Sequence, residues 1–249
     1  MRPGPGPPTH TPCCASRTPG PDDRPPPPLP ACASTRVEAH APVADATALR
    51  VLLVTDLPVR ALALDGTPAW ASLTGAPDPE RLRAQAAALG VRPFEDGAAG
   101  SGPGTVLTVH VTGEGGTAPD GATVAVAAVH PDGPGREDPD APRLALLERH
   151  HHARVELDEA VLATARDTLA HRRTAVSRWA RQPSSPVPAG VRERLRAARE
   201  DDLDAPEVLR ILCGVESEPD LPDGARFEIC ACADRFPGLQ PTRDIGAPE

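Results

Sequence analysis

The hydrophobic period of the chain changes near Asp140, and this change restricts the folds open to it. From Thr35 onward, short alternating segments typical of strands are interleaved with helical segments. After Asp140 the apolar residues recur with the 3.6-residue period of amphipathic helices. The pattern predicts an α/β part over residues 35–140, followed by an all-α helical bundle over residues 141–249.

The expected elements can be placed along both parts. In the first part we predict a helix over 47–64 with a kink at Pro58, a second helix with Asp78 as N-cap and a stop at Gly90, and strands at 36–43, 67–73, 105–111 and 122–130. In the second part we predict helices at 141–151, 158–180, 188–200, 206–215 and 224–235. An interior proline costs a helix about 3 kcal/mol, so packing must hold the first helix.

Residues 1–34 form a proline-rich segment. They contain 12 of the 33 prolines and no apolar period that could offset the entropy cost of ordering the backbone. We therefore predict a disordered tail. The alternatives are a proline-rich ligand for a groove-type domain and a start codon placed too early.

The absence of two residue types excludes several chemistries. The chain has no lysine and no tyrosine, which rules out a phosphate-loop lysine, a Schiff base and a phenolic acid or base. Aromatic residues make up 2% of the chain, too few for a base-stacking platform.

Apolar residues and cysteines indicate the cellular compartment of the protein. No apolar run approaches the roughly 18 residues that span a bilayer, and no secretory apolar stretch begins the chain. The six cysteines form no Cys-x-x-Cys pair, which favours reduced thiols. We expect a cytoplasmic protein with no membrane partner.

Charge is concentrated in one block. Residues 141–200 contain 12 arginines against seven acidic residues, while the segments on either side are acidic. Such a block suits a phosphate backbone, and Arg172 and Arg173 are our candidate nucleic-acid contacts. The alternative is that these arginines pair with neighbouring carboxylates on solvated helix faces.

No motif in the chain predicts a catalytic or metal site. The glycine-rich loop 97–104 lacks the strand-loop-helix order of a phosphate cradle, and 113–116 is expected to connect a hairpin. The triplet 150–152 is three histidines, but neighbours on a helix point about 100° apart and cannot all reach one ion. Cys230 and Cys232 face apart in the same way, so we predict no metal site.

Three patterns in the helical part are specific: Arg143-Leu-Ala-Leu-Leu147 with His150, the segment 158–162 with the long helix to Trp179, and the turn Asp201-Asp-Leu-Asp-Ala-Pro206. In these patterns the chain resembles cysteinyl-tRNA synthetases and the cysteine ligase of mycothiol synthesis, which are class I synthetase-type enzymes. A weaker similarity begins at Asp45. The resemblance implies a reduced Rossmann-like sheet followed by the helical bundle of these enzymes.

The same resemblance shows which family residues are missing. The His-x-Gly-His signature falls on Ala48-Leu-Arg-Val51, the first zinc-ligand cysteine falls on Ala39, and a lysine-containing activation loop has no counterpart. The family's His-Tyr-Arg triplet appears as His150-His-His152, and the segment 73–140 is short for a catalytic core. A hydrogen-bond donor or charge that is absent cannot stabilise the charge that develops in the adenylation transition state.

We therefore expect a non-catalytic binding or regulatory protein that needs no cofactor. The expected partner is tRNA, bound weakly, a protein such as an active synthetase, or a small ligand left in the vestigial pocket. One alternative is an ATP-dependent cysteine ligase with an altered active site, in which Arg50 and Arg60 bind phosphate. The other is a diverging relic without a selected function.

Overall fold

Four parallel strands form the sheet of the α/β part. The computed structural model describes residues 34–95, 106–130 and 140–246, so the proline-rich segment and the loop 97–104 lie outside the described residues. The strands run in the order β2-β1-β3-β4, with bounds β1 Ser34–His40, β2 Ala69–Thr74, β3 Val106–Gly113 and β4 Ala122–Val126. The α/β prediction for this part is confirmed.

Helix α1 (Ala46–Leu64) packs against this sheet. The Asp45 carboxylate caps its start by accepting a hydrogen bond from the Ala48 N–H at 2.7 Å. Most of its side chains are buried, as expected of a helix that is apolar on nearly every side. It runs through Pro58, and its burial against Val37 and Ala39 of β1 supplies the packing that an interior proline requires.

The connection between β3 and β4 corrects the predicted hairpin. The two strands are parallel, with Val109 opposite Ala122 and Gly113 opposite Val126, and residues 114–121 return the chain to the start of the sheet. The return passes so close to the sheet that a Cβ on Gly121 would lie 3.2 Å from the His110 ring. A short, glycine-rich connection predicts a hairpin locally, and only the strand pairing reveals the parallel crossover.

The predicted helices are present with small shifts at their ends, except that the helix predicted over 141–151 already ends at Leu147. Helix α2 spans Pro79–Ala88, with Asp78 as its cap and Gly90 at φ 70° after its end, as expected. The other helices are α3 Asp140–Leu147, α4 Glu159–Trp179, α5 Ala189–Glu200, α6 Ala205–Ser217 and α7 Asp223–Ala233.

The sheet and the helices share one core. The described residues form a compact unit, in which Val37 of β1 and Ile229 of α7 belong to the same buried apolar cluster. A small parallel pair, β5 (Val129–His130) and β6 (Val155–Glu156), joins the two parts. No helix within the described ranges is long and apolar enough to cross a membrane. The described cysteines Cys213, Cys230 and Cys232 are free thiols.

An ion network lies inside this core. Asp56 of α1 is 2% exposed and contacts Arg60, Arg92 and Arg143. Arg143 is fully buried, and its guanidinium also donates to the carbonyl oxygens of Leu89 and Pro237. The Asp56–Arg143 pair therefore connects α1 and α3, and Arg143 extends the network to the segment after α7.

Candidate functional site

A cleft of about 370 Å³ opens at the carboxyl ends of β1 and β3. The strand order reverses between these two strands, because the chain moves from β1 to β2 on one side and then returns to β3 on the other. Open parallel sheets bind their ligands at such a reversal. The cleft is lined by polar and small residues that include His40, Asp45, Thr47, Thr112, Gly113 and Glu114.

The charges of the cleft do not suit a polyphosphate. Asp45 and Glu114 contribute two carboxylates, and no arginine lines the cleft among the described residues. The N-terminus of α1 faces the same space, but Asp45 already caps it and places a negative charge there. Glu114 lies 3.8 Å from Nη2 of the exposed Arg154, and the described lining itself offers a polyphosphate no guanidinium.

Ala48 and Val51 line this cleft as well. The resemblance to the synthetase-type enzymes places the two signature histidines at these positions, so methyl groups stand where imidazoles are expected. Ala39, at the position of the first zinc-ligand cysteine, is fully buried in the core. The cleft therefore carries apolar side chains at the two signature positions.

A cluster of titratable side chains lies beside the cleft on the polar face of the sheet. The Nε2 atom of His40 is 3.0 Å from Nδ1 of His110, and that Nδ1 atom is 3.7 Å from a Glu38 oxygen. The Thr74 hydroxyl donates to Glu38 at 2.5 Å. Burial, partly offset by Glu38, lowers the pKa of His40, so its imidazole is neutral near pH 7.

Sequence reasoning missed this cluster. Glu38 and His40 are two residues apart and so face the same way, but the third member comes from β3 in register with Glu38. Alternation along β1 was the available signal, and the pairing of distant strands supplied the rest.

The histidine triplet does not lie on a helix. The prediction that its side chains diverge, which assumed helical geometry, is therefore wrong. Helix α3 ends at Leu147, and residues 150–152 form a turn in which all three imidazoles approach Asp202. The distances from Asp202 Oδ2 to the Nε2 atoms are 4.0 Å for His150, 3.7 Å for His151 and 2.9 Å for His152.

Arg172 and Arg173 are placed inside the protein. Their residues are 4% and 6% exposed, the Arg172 guanidinium lies 3.3 Å from Glu216, and Arg173 pairs with the buried Asp140. Burial and pairing weigh against direct contact with a phosphate backbone. Charge counting along the chain does not distinguish such internal arginines from those on the surface.

Arg50 and Arg60, the phosphate ligands of the alternative reading, also lie away from the cleft. Arg50 is 1% exposed and donates to four backbone carbonyl oxygens. Arg60 pairs with Asp56 at 2.5 Å and donates to the Gly90 carbonyl oxygen. Neither guanidinium lines the space at the end of the sheet.

Comparison with known proteins found related ligases. No family model matches the chain. The chain is similar to L-cysteine:1D-myo-inositol 2-amino-2-deoxy-alpha-D-glucopyranoside ligases, with 46% identity over 72 residues for the protein of Streptomyces griseus, which covers 29% of this chain and 17% of that ligase. The protein of Streptomyces scabiei is 43% identical over 89 residues, or 36% of this chain and 20% of the ligase.

A third ligase, from Acidothermus cellulolyticus, is 37% identical over 103 residues, which are 41% of this chain and 24% of the ligase. These matches confirm the resemblance to cysteine ligases of the cysteinyl-tRNA synthetase-like kind. The matched stretches span about a fifth of the length of these relatives.

Proposed function

We propose that this chain is a non-catalytic binding protein built on a reduced Rossmann-like, class I synthetase-type sheet with a helical bundle. The observation that supports this proposal best is the lining of the cleft at the ends of β1 and β3. There Ala48 and Val51 occupy the positions of the two histidines of the His-x-Gly-His signature. Adenylation requires groups that stabilise the charge developing on the triphosphate. The described lining offers two carboxylates and no arginine for that task.

Arg50 supports the same proposal. The resemblance places the signature glycine at this position, where the chain carries a large cationic side chain. That side chain is buried against the segment 149–153 and binds carbonyl oxygens there. The position has therefore acquired a structural role, and its charge does not face the cleft.

We expect no cysteine-dependent pyrophosphate exchange by the purified full-length chain. The reason is that, among the described residues, the lining of the cleft contains neither the signature imidazoles nor an arginine to stabilise the leaving pyrophosphate. The measurement is isotope exchange between pyrophosphate and ATP with and without cysteine, with the Streptomyces griseus ligase as the positive control. Exchange clearly above the no-cysteine background would overturn the proposal in favour of an active ligase that uses ATP.

The ligand of the cleft is proposed to be a small amine or neutral molecule. A ligand-observed magnetic resonance screen should find amine-bearing fragments that bind and phosphate-bearing fragments that do not, because Asp45 and Glu114 set the local charge. The substitution Glu114→Gln should weaken the binding of the amine fragments roughly two- to fivefold, as expected for the loss of one exposed ion pair. Glu156→Gln, an exposed carboxylate on β6, is the matched control. Preferential binding of phosphates would contradict this assignment.

The macromolecular partner is proposed to be a protein rather than tRNA. The two arginines expected to contact tRNA are internal and paired, and the segments around the basic block are acidic. Exposed arginines such as Arg192 and Arg194 of α5 remain for weak contacts with nucleic acid.

A further inference from the structure

Two turns that are distant in the sequence bring four metal-ligating side chains together. His150, His151 and His152 lie between α3 and β6, and Asp202 lies between α5 and α6. Each offers one ligand atom, and these four atoms all lie within 4.8 Å of one another. In a tetrahedral zinc site with bonds of 2.0–2.1 Å, neighbouring ligand atoms are about 3.3 Å apart. The distances of 2.9, 3.7 and 4.0 Å from Asp202 bracket that value.

The histidine turn is held in place by the protein. Arg50 donates to the carbonyl oxygens of Arg149 and His150 through Nη2 and to that of Ala153 through Nη1. The carbonyl oxygen of His151 accepts from the Ala127 N–H at 2.8 Å. The imidazoles therefore project from a backbone whose position is set by α1 and by the strand region around Ala127.

The aspartate turn has an unusual backbone. Asp202 and Leu203 have φ values of 51° and 58°, in the left-handed region that non-glycine residues rarely occupy. Two such residues in succession persist where surrounding contacts impose them, and they are concentrated at functional sites. Here the N–H of Asp204 donates to the carbonyl oxygen of Ala198 at 3.0 Å, which closes the turn and leaves the Asp202 carboxylate beside the histidines.

A buried nitrogen in this cluster lacks a hydrogen-bond partner. His151 is 4% exposed, and its Nε2 atom has none within the described part of the chain. Buried polar atoms almost always have a partner, so this imidazole nitrogen, which faces a carboxylate and two other imidazoles, is free to bind a ligand.

We propose that His150, His151, His152 and Asp202 bind one divalent transition-metal ion of the zinc class. Three imidazole nitrogens and one carboxylate oxygen suit zinc and its neighbours, whereas calcium and magnesium prefer oxygen ligands alone. The bound ion would connect the turn after α3 to the turn before α6. His152 is half exposed, so the site is open to solvent on one side. This proposal does not rest on the proposed function.

The test uses the full-length chain without an affinity tag, stripped with a chelator and titrated with Zn²⁺ by calorimetry. We expect one ion per chain and a rise in melting temperature with zinc. The double variant His150→Ala/His152→Ala should lose about 100-fold or more in zinc affinity and lose the zinc-dependent melting shift. Both substituted side chains are at least partly exposed, so the variant should fold.

The control is His171→Ala, which removes an exposed imidazole of α4 that lies next to Glu216 and outside the cluster. Its zinc affinity should stay within about twofold of the wild type. Cobalt substitution adds a spectroscopic readout, since Co²⁺ in a tetrahedral nitrogen and oxygen site gives visible absorption that the double variant should lack.

Two results would overturn the proposal. The first is the absence of zinc binding by the wild-type chain. The second is a bound zinc that the double variant retains at wild-type affinity, which would place the ion elsewhere, at the thiols or at the second described cluster of Glu38, His40 and His110.

Discussion

Replacing Arg50 by methionine should lower the free energy of unfolding by about 3–5 kcal/mol, because it leaves buried polar groups without partners. Nη1 of Arg50 donates to the carbonyl oxygens of Ala127 and Ala153 at 3.0 and 2.6 Å, and Nη2 donates to those of Arg149 and His150 at 3.1 and 2.9 Å. Methionine fills a similar volume but donates no hydrogen bond, so all four carbonyl oxygens lose this donor.

Urea denaturation followed by circular dichroism measures the change in unfolding free energy. Arg81→Met, on the exposed surface of α2, is the matched control and should shift stability by no more than about 0.5 kcal/mol. Arg50→Lys should recover only part of the loss, since one ammonium cannot reproduce the planar guanidinium. A loss below about 1 kcal/mol for Arg50→Met would show that the segment 149–153 is held by other contacts.

Removing the carboxylate of Asp56 should be comparably costly. Asp56 accepts from Nε of Arg60 at 2.5 Å and from Nε of Arg92 at 2.8 Å, and it lies 3.3 Å from Nη2 of the fully buried Arg143. Asp56→Ala leaves buried guanidinium groups without their counterion, and breaking a buried pair in this way costs about 3–5 kcal/mol. Asp167→Ala, an exposed aspartate of α4, should leave the unfolding free energy nearly unchanged.

The same network predicts a dependence on pH. Burial alone would raise the pKa of Asp56, but Arg60 and Arg143 outweigh it and hold the pKa below its ordinary value. A carboxyl whose pKa is lower in the folded state contributes stability above its unfolded pKa of about 4, and this contribution disappears as the pH falls through the folded value. The difference in unfolding free energy between wild type and Asp56→Ala should therefore shrink below about pH 4.

The pKa of Asp234 is shifted in the opposite direction to that of Asp56. Burial raises its pKa to about 6, so its contribution to stability decreases as the pH rises from about 4 to about 6. The titration of Asp234 occurs in both proteins, so it largely cancels in the difference in unfolding free energy between wild type and Asp56→Ala at each pH. A difference that stays constant down to pH 3 would contradict the role of Asp56 as the ionised centre of the network.

The local features of the fold were predictable from neighbouring residues. Asp78 followed by Pro79 begins α2 and Gly90 follows its end, and the pattern after Asp158 begins α4 with that residue as its cap. Caps and stops depend on residues within one turn, so their signals lie together in the chain. The change of period near Asp140 likewise predicted where the sheet gives way to helices.

The candidate sites depended on contacts between distant segments. Periodicity predicted a helix to His151, whereas the structure ends α3 at Leu147 and turns the three imidazoles toward Asp202. That turn is held by Arg50, about 100 positions earlier in the chain, and no local signal connects the two.

By itself, the sequence determined the order and type of most elements and the absence of lysine chemistry, because propensities, caps and residue types act locally. Tertiary structure alone decided that β3 and β4 are parallel, that Arg172 and Arg173 are internal, and that three histidines converge on one aspartate. The physical reason is that burial and pairing depend on which segments meet in space. The sequence does not distinguish a charged side chain in solvent from one in a buried ion pair.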